Sequence, residues 1–140
     1  MSSTPLSIRF NPQLLERLRQ GALGRDTTPS SLAQRLVDEG LRSQEIPGIV
    51  FRDGPSGRRA GLAAGPDIWE VAVAIRDSEL RGDHAIEAIA DDLSLSPGRV
   101  RTALSYYGAY PDEIDSEIAE NERAADEAVR SWESQQRLLA

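Results

Sequence analysis

The chain of 140 residues contains no cysteine and no lysine. The first absence excludes disulfides and thiolate metal sites. The second leaves all 16 basic positions to arginine, a bias that GC-rich coding produces as readily as function does. Long apolar runs are also missing. None approaches the roughly 20 residues of a membrane span, and no signal peptide opens the chain. A soluble, cytoplasmic protein without a membrane partner is therefore expected. There is a single histidine, His84, and no nucleophile–base pair, metal-ligand spacing or glycine-rich phosphate loop is apparent. Gly54-Pro55-Ser56-Gly57 reads as a turn rather than a phosphate loop. No cofactor is implied, and no enzymatic activity is expected.

Positive charge is scarce as well, with a formal net charge of -7 at pH 7, but the deficit is local. Residues 1–47 carry six arginines against five acids, residues 48–110 seven against nine, and residues 111–140 three against nine. The acidity belongs to the tail, so a DNA-binding patch elsewhere is not excluded, and acidic tails commonly contact proteins.

At the start of the chain Leu6, Ile8 and Phe10 alternate with Pro5, Ser7 and Arg9. Strict alternation predicts a half-buried strand. A lone strand cannot satisfy its own backbone groups, and a second copy of the chain is the simplest partner. The expected result is a dimer whose two-stranded ribbon buries Leu6, Ile8 and Phe10 and turns Ser7 and Arg9 outward. Asn11-Pro12 then caps a helix carrying Leu14, Leu15, Leu18 and Ala22, with Gly21 and Gly24 near its end. Thr28-Pro29 starts a second amphipathic helix through Leu32, Ala33, Leu36 and Val37, predicted to end near Leu41-Arg42.

Ile46-Pro47-Gly48 reads as a linker. Residues 49–63 predict a β-hairpin around the turn 53–57. Helices follow from Pro66, around Ile86, Ile89, Ala90 and Leu93, and from Ser96-Pro97. Pro111 opens a last helix in which Ile114, Ile118, Asn121, Ala125, Ala128, Trp132, Gln135 and Leu139 keep a four-three spacing. The seam is too poor in large apolar residues to hold a coiled coil unaided. Trp132 and Leu138-Leu139 have no evident home within the chain. The fold class predicted is mainly α. A β-α-α domain over 1–46 precedes a hairpin-plus-helix domain over 47–110 and an acidic helical tail over 111–140.

Within residues 4–42, the order strand, Asn11-Pro12 helix, Gly24 turn and Thr28-Pro29 helix resembles a ribbon-helix-helix DNA-binding domain. Residues 47–121, from Pro47-Gly48-Ile49-Val50-Phe51 through Leu95-Ser96-Pro97-Gly98-Arg99-Val100 to Tyr110-Pro111-Asp112-Glu113-Ile114, look like an antitoxin domain similar to a winged helix-turn-helix. Together they resemble a VapB-type antitoxin and transcriptional repressor.

The resemblance implies a ribbon in the major groove of an inverted-repeat operator, bound by a homodimer. Arg9 is the leading base reader, because arginine bonds guanine O6 and N7 together; Ser7 is second, with Thr4 and Pro5 at the margin. Thr28, Ser30 and Ser31, at a helix start, suit phosphate clamping. The resemblance further implies a PIN-like ribonuclease toxin as partner, wrapped by the tail. Arg123, Arg130 and Arg137, spaced by seven, with Trp132 and Leu138, are the candidate toxin contacts. Against this stand plainer roles: a solvated Arg9, a Thr28 that only caps its helix, and tail arginines paired with nearby acids. Arg99 and Arg101 are weaker DNA candidates. Tyr106, Tyr107 and Tyr110 read as packing or partner surface, and His84 as a surface residue. Asp112, Glu113, Asp115 and Glu117 read as helix-start acids favoured by the macrodipole. The alternative is a stand-alone ribbon-helix-helix repressor.

Overall fold

A computed structural model describes residues 3–140; Met1 and Ser2, the first two positions of the expected N-terminal domain, lie outside the described residues. Six helices and one hairpin follow in order: α1 (Pro12–Gly24), α2 (Pro29–Glu45), β1 (Ile49–Gly54), β2 (Gly57–Leu62), α3 (Ile68–Asp77), α4 (Gly82–Asp92), α5 (Pro97–Ala109) and α6 (Pro111–Leu139). The chain is mainly helical, as predicted. No described helix is long and apolar enough to cross a membrane. Two compact units divide it, one ending at Leu41 and one running from Arg42 to Ala140.

In the first unit the local signals act as expected. Asn11 Oδ1 accepts from the Leu14 N–H at 2.8 Å and starts α1. Thr28 Oγ1 accepts from the Ser31 N–H at 3.1 Å and starts α2. Gly21 lets Leu32 come close, since a Cβ there would lie 3.2 Å from Leu32 Cδ2. Only Ala22 and Leu32 of its apolar residues are buried. Residues 3–10 form no strand in the single chain and are exposed throughout. The strand expected over residues 6–10 is therefore not formed in the single chain, where no second strand lies beside it to take its backbone hydrogen bonds.

The helix predicted to stop near Leu41-Arg42 continues to Glu45. The break comes only at Ile46-Pro47, where proline disfavours helix for its predecessor. Gly48, at φ +99°, then turns the chain into β1. The predicted linker therefore lies inside the second unit.

β1 and β2 pair antiparallel, from Ile49 opposite Leu62 to Gly54 opposite Gly57. Only Pro55 and Ser56 are left as the loop, so the predicted 53–57 turn is tighter than its composition suggested. Gly57, the first residue after the loop, sits at φ +118°, a conformation that favours glycine. The hairpin packs on α3 and α5, with α4 against α5 and the start of α6 against α3 and α5. Ile49, Leu62, Ile68, Val71, Val100 and Tyr106 form the centre of this core, and Ile114 and Ile118 seal it. The residues from Pro111 to Ile118 are thus core rather than tail. Tyr110 alone separates α5 from α6 and is the C-cap of the first and N-cap of the second.

Because Ile114 is fully buried while Leu138 is 88% exposed, truncating them should have very unequal consequences for stability. Ile114→Ala is expected to cost about 2–5 kcal/mol and Leu138→Ala within about 0.5 kcal/mol, read by urea unfolding.

Candidate functional site

The residues expected to read DNA fall into two groups in the first unit. Thr4, Ser7 and Arg9 are all exposed along the N-terminal stretch. So are the apolar residues between them, Leu6 at 82% and Ile8 at 58%, and Leu14, Leu36, Val37 and Leu41 are bare as well. In the single chain this apolar set is exposed to solvent. Thr28, Ser30 and Ser31 stand together at the exposed start of α2. The Thr28 hydroxyl also donates to Ser31 Oγ at 3.0 Å. These two side chains therefore hold each other and the helix end; Pro29 has no N–H and Thr28 takes that of Ser31, which leaves the Ser30 N–H as the anion-seeking group.

The weaker DNA candidates on α5 are occupied elsewhere. Arg99 Nη2 donates to the Ala63 carbonyl at the end of the hairpin. Arg101 pairs with Asp83 of α4 at 2.8 Å. His84 is an exposed residue beside that pair in the first turn of α4. Among the described residues no cluster of three or more histidine, cysteine, aspartate or glutamate side chains is placed to hold a metal ion.

The five tail candidates are all exposed, and the helix does not bring them together. At 3.6 residues per turn, Arg123, Arg130 and Arg137 do share a face, but it lies about half a turn round α6 from Trp132. Leu138 points to a third side. The face that carries Trp132 is instead the continuation of Ile114 and Ile118, so the buried stripe of α6 runs on uncovered through Ala125 and Val129.

Sequence reasoning missed two polar clusters of the second unit. In the first, Arg42 Nη1 donates to Tyr106 Oη at 2.7 Å and to Glu113 Oε1 at 2.8 Å. Tyr106 O–H in turn donates to Glu113 Oε2 at 2.5 Å. The Arg42 guanidinium also lies 4.0 Å from the Tyr110 ring centre. Burial, and then the bond to Glu113, pushes the Tyr106 hydroxyl above the ordinary tyrosine range. For Arg42 burial works against the charge, but the bonds to Glu113 and Tyr106 outweigh it and hold the pKa above its usual value. These partners are 64 and 71 positions from Arg42, a separation that no local pattern reveals.

In the second cluster Asp67 accepts from Arg52 Nε at 2.8 Å, Arg59 Nη1 at 3.4 Å and Trp69 Nε1 at 3.3 Å. Arg52 also donates to the Gly65 carbonyl at 2.7 Å, pinning the chain between β2 and α3. It lies over Gly61, where any Cβ would strike its guanidinium. Glu117, from the start of α6, approaches this cluster without joining it. Both its carboxylate oxygens are buried with no hydrogen-bond partner, as is Arg59 Nε. Burial pushes Glu117 up to about 7, with the charge of Glu113 adding to the shift, Arg59 opposing it, and Asp67 and Glu120 contributing further. The helical period, which sets Glu117 beside Ile114 and Ile118, was the signal available for it.

No family model, curated protein or solved structure matches this chain. Its function must be argued from these residues.

Glu117 makes the second unit pH-sensitive. Its carboxyl titrates from 4.5 when unfolded to about 7 when folded, so the stability of the protonated form is complete below pH 4.5 and is lost as pH rises through 7. Glu117→Gln should keep that stability. The variant's melting temperature minus that of wild type should climb across this window, and a flat difference would remove Glu117 as the cause.

Proposed function

We propose that the protein is a dimeric DNA-binding repressor of the antitoxin type, whose N-terminal stretch both joins two chains and reads the operator. The observation that carries the reading is the bare alternation of Leu6, Ile8 and Phe10 with Ser7 and Arg9 in a unit that also exposes Leu14, Leu36, Val37 and Leu41. Pairing two such stretches gives each backbone a partner and covers the apolar side. The outward side then presents Arg9 and Ser7 twice, related by a two-fold axis, to an inverted repeat, with Thr4 at the margin of the ribbon. The two exposed α2 N-termini of such a dimer, with their Thr28, Ser30 and Ser31 side chains, would flank the groove and hold phosphates. No catalytic role is assigned to any residue.

The antitoxin half of the proposal rests on the resemblance to VapB-type proteins together with the uncovered face of α6. A segment that projects from the core with Val129, Trp132 and Leu139 in solvent has the form of a partner-binding element. A PIN-like ribonuclease is the partner that the resemblance supplies. Deletions that test it must begin beyond Glu122, because removing Ile114 and Ile118 opens the core.

Arg9→Ala is expected to weaken binding to the operator about 5- to 150-fold in a mobility shift, the loss of a bidentate base contact. Ser30→Ala should weaken all DNA sequences alike and leave the salt slope unchanged, since a neutral hydroxyl releases no counterion. Ile8→Asp should yield monomers by sedimentation and abolish operator binding. Equal binding by wild type and Arg9→Ala would defeat direct readout by Arg9. Co-expression with the neighbouring reading frame tests the second half: its product should co-purify with the full chain and not with a chain ending at Glu122.

A further inference from the structure

An open groove of about 500 Å³ lies between α3, α5 and α6. Its floor is apolar, made by Ala72, Ile75, Leu104 and Ile118, and Arg76 and Glu122 stand at its rim, joined at 2.9 Å. From Ile118 the same side of α6 continues through Ala125 and Val129 to Trp132, which is 60% exposed. From Ala119 to Leu139 this uncovered track is about 30 Å long, the length of a helix of about 20 residues. One edge of the track carries Glu122, Asp126 and Glu133, with Arg130 and Arg137 one turn on and further round the helix, away from the track. Among the described residues neither Asp126 nor Glu133 is in an ion pair. The other edge is neutral, with Ala124, Ser131 and Gln135.

We propose that this groove and track form one docking surface for an amphipathic helix of a second protein. That helix is apolar along one side and bears arginine or lysine on the edge that meets Glu122, Asp126 and Glu133. The charge pattern selects this occupant over a second copy of the chain. Two α6 helices packed antiparallel bring like edges together, acid row against acid row, and packed parallel they set the acid row against the neutral edge. Neither arrangement gains a charge complement. An anionic lipid surface is repelled by the same row. The inference deepens the partner-binding half of the proposed function and rests on it. Operator binding by Arg9 is measured separately, so the two can fail independently.

The test uses the full-length protein and a designed tryptophan-free helical peptide of about 20 residues, with a leucine–alanine face and arginine edges. A second peptide has the same face and glutamate edges. The arginine peptide is expected to shift Trp132 emission to the blue and to slow hydrogen exchange over 119–139, and the glutamate peptide to do neither. Asp126→Arg with Glu133→Arg should weaken binding at least about tenfold, since two charge contacts are lost and replaced by repulsion. Glu120→Arg with Glu127→Arg makes the same charge change on the far side of α6 and should weaken it less than about twofold. All four positions are exposed, so the fold is not at stake. Equal binding of both peptides, equal loss in both double variants, or concentration-dependent shielding of Trp132 in the protein alone would each overturn the proposal. A blue shift with phosphatidylglycerol vesicles that matches the arginine peptide would overturn it too.

Discussion

The second unit is built around one demand: α6 must be held by its N-terminal turns. Ile114 and Ile118 close the core from above, Glu122 reaches Arg76, and the turns beyond Glu122 are exposed on all sides. Everything polar near that seat serves the same anchorage. Glu113 reaches Arg42 and Tyr106, Asp115 accepts from Tyr107 at 2.8 Å, and Arg76 reaches Glu122 across the groove. Glu117 is the exception, a carboxylate pressed into the same place without a donor. A seat made of two isoleucines and several peripheral ion pairs is adequate only because a helix is stiff. Packing at one end keeps the other in line, but does nothing to shield it.

The two units thus share a property despite their different contents. Each leaves apolar side chains in solvent along one line, Leu6-Ile8-Phe10 in the first and Val129-Trp132-Leu139 in the second. Lone exposed apolar residues are ordinary on protein surfaces, whereas rows with the period of a strand or a helix mark surfaces made for a complementary element. The strand-like row points to an identical copy, because hydrogen bonding along a ribbon is self-complementary. The helical row, edged with acid on one side, points to something unlike itself. The arginines Arg123, Arg130 and Arg137, on the opposite side of the helix, belong to neither contact.

Most element boundaries could be read in the sequence because their causes are local. Asn11-Pro12, Thr28-Pro29, Ser96-Pro97 and Pro111 each start a helix within four residues of the signal, and the hairpin follows from its glycines and proline. The end of α2 was misjudged because apolar periodicity fades at Leu41, while the helix persists to the proline that can stop it. The division of labour along α6 was hidden for another reason. Ile114 and Trp132 obey the same period, and only the size of the core decides where burial ceases. The Arg42 and Asp67 clusters were not legible at all, since their members meet only after hairpin and helices have packed. The stretch expected to be a strand carrying the DNA-reading residues is exposed and irregular, because alternation alone supplies no partner for its backbone.

The corner at Tyr110 has a mechanical consequence. With a single residue between two helices, the bearing of α6 is set by one pair of backbone angles, φ -133° and ψ 55°, under the Arg42 guanidinium. A rigid rod of 29 residues measures about 43 Å, so a tilt of about 5° at that corner carries its tip through about 4 Å. The protein is in this sense a lever with its fulcrum in the core. Movements too small to disturb the packing of Ile114 become, at Leu139, displacements comparable to the width of a side chain.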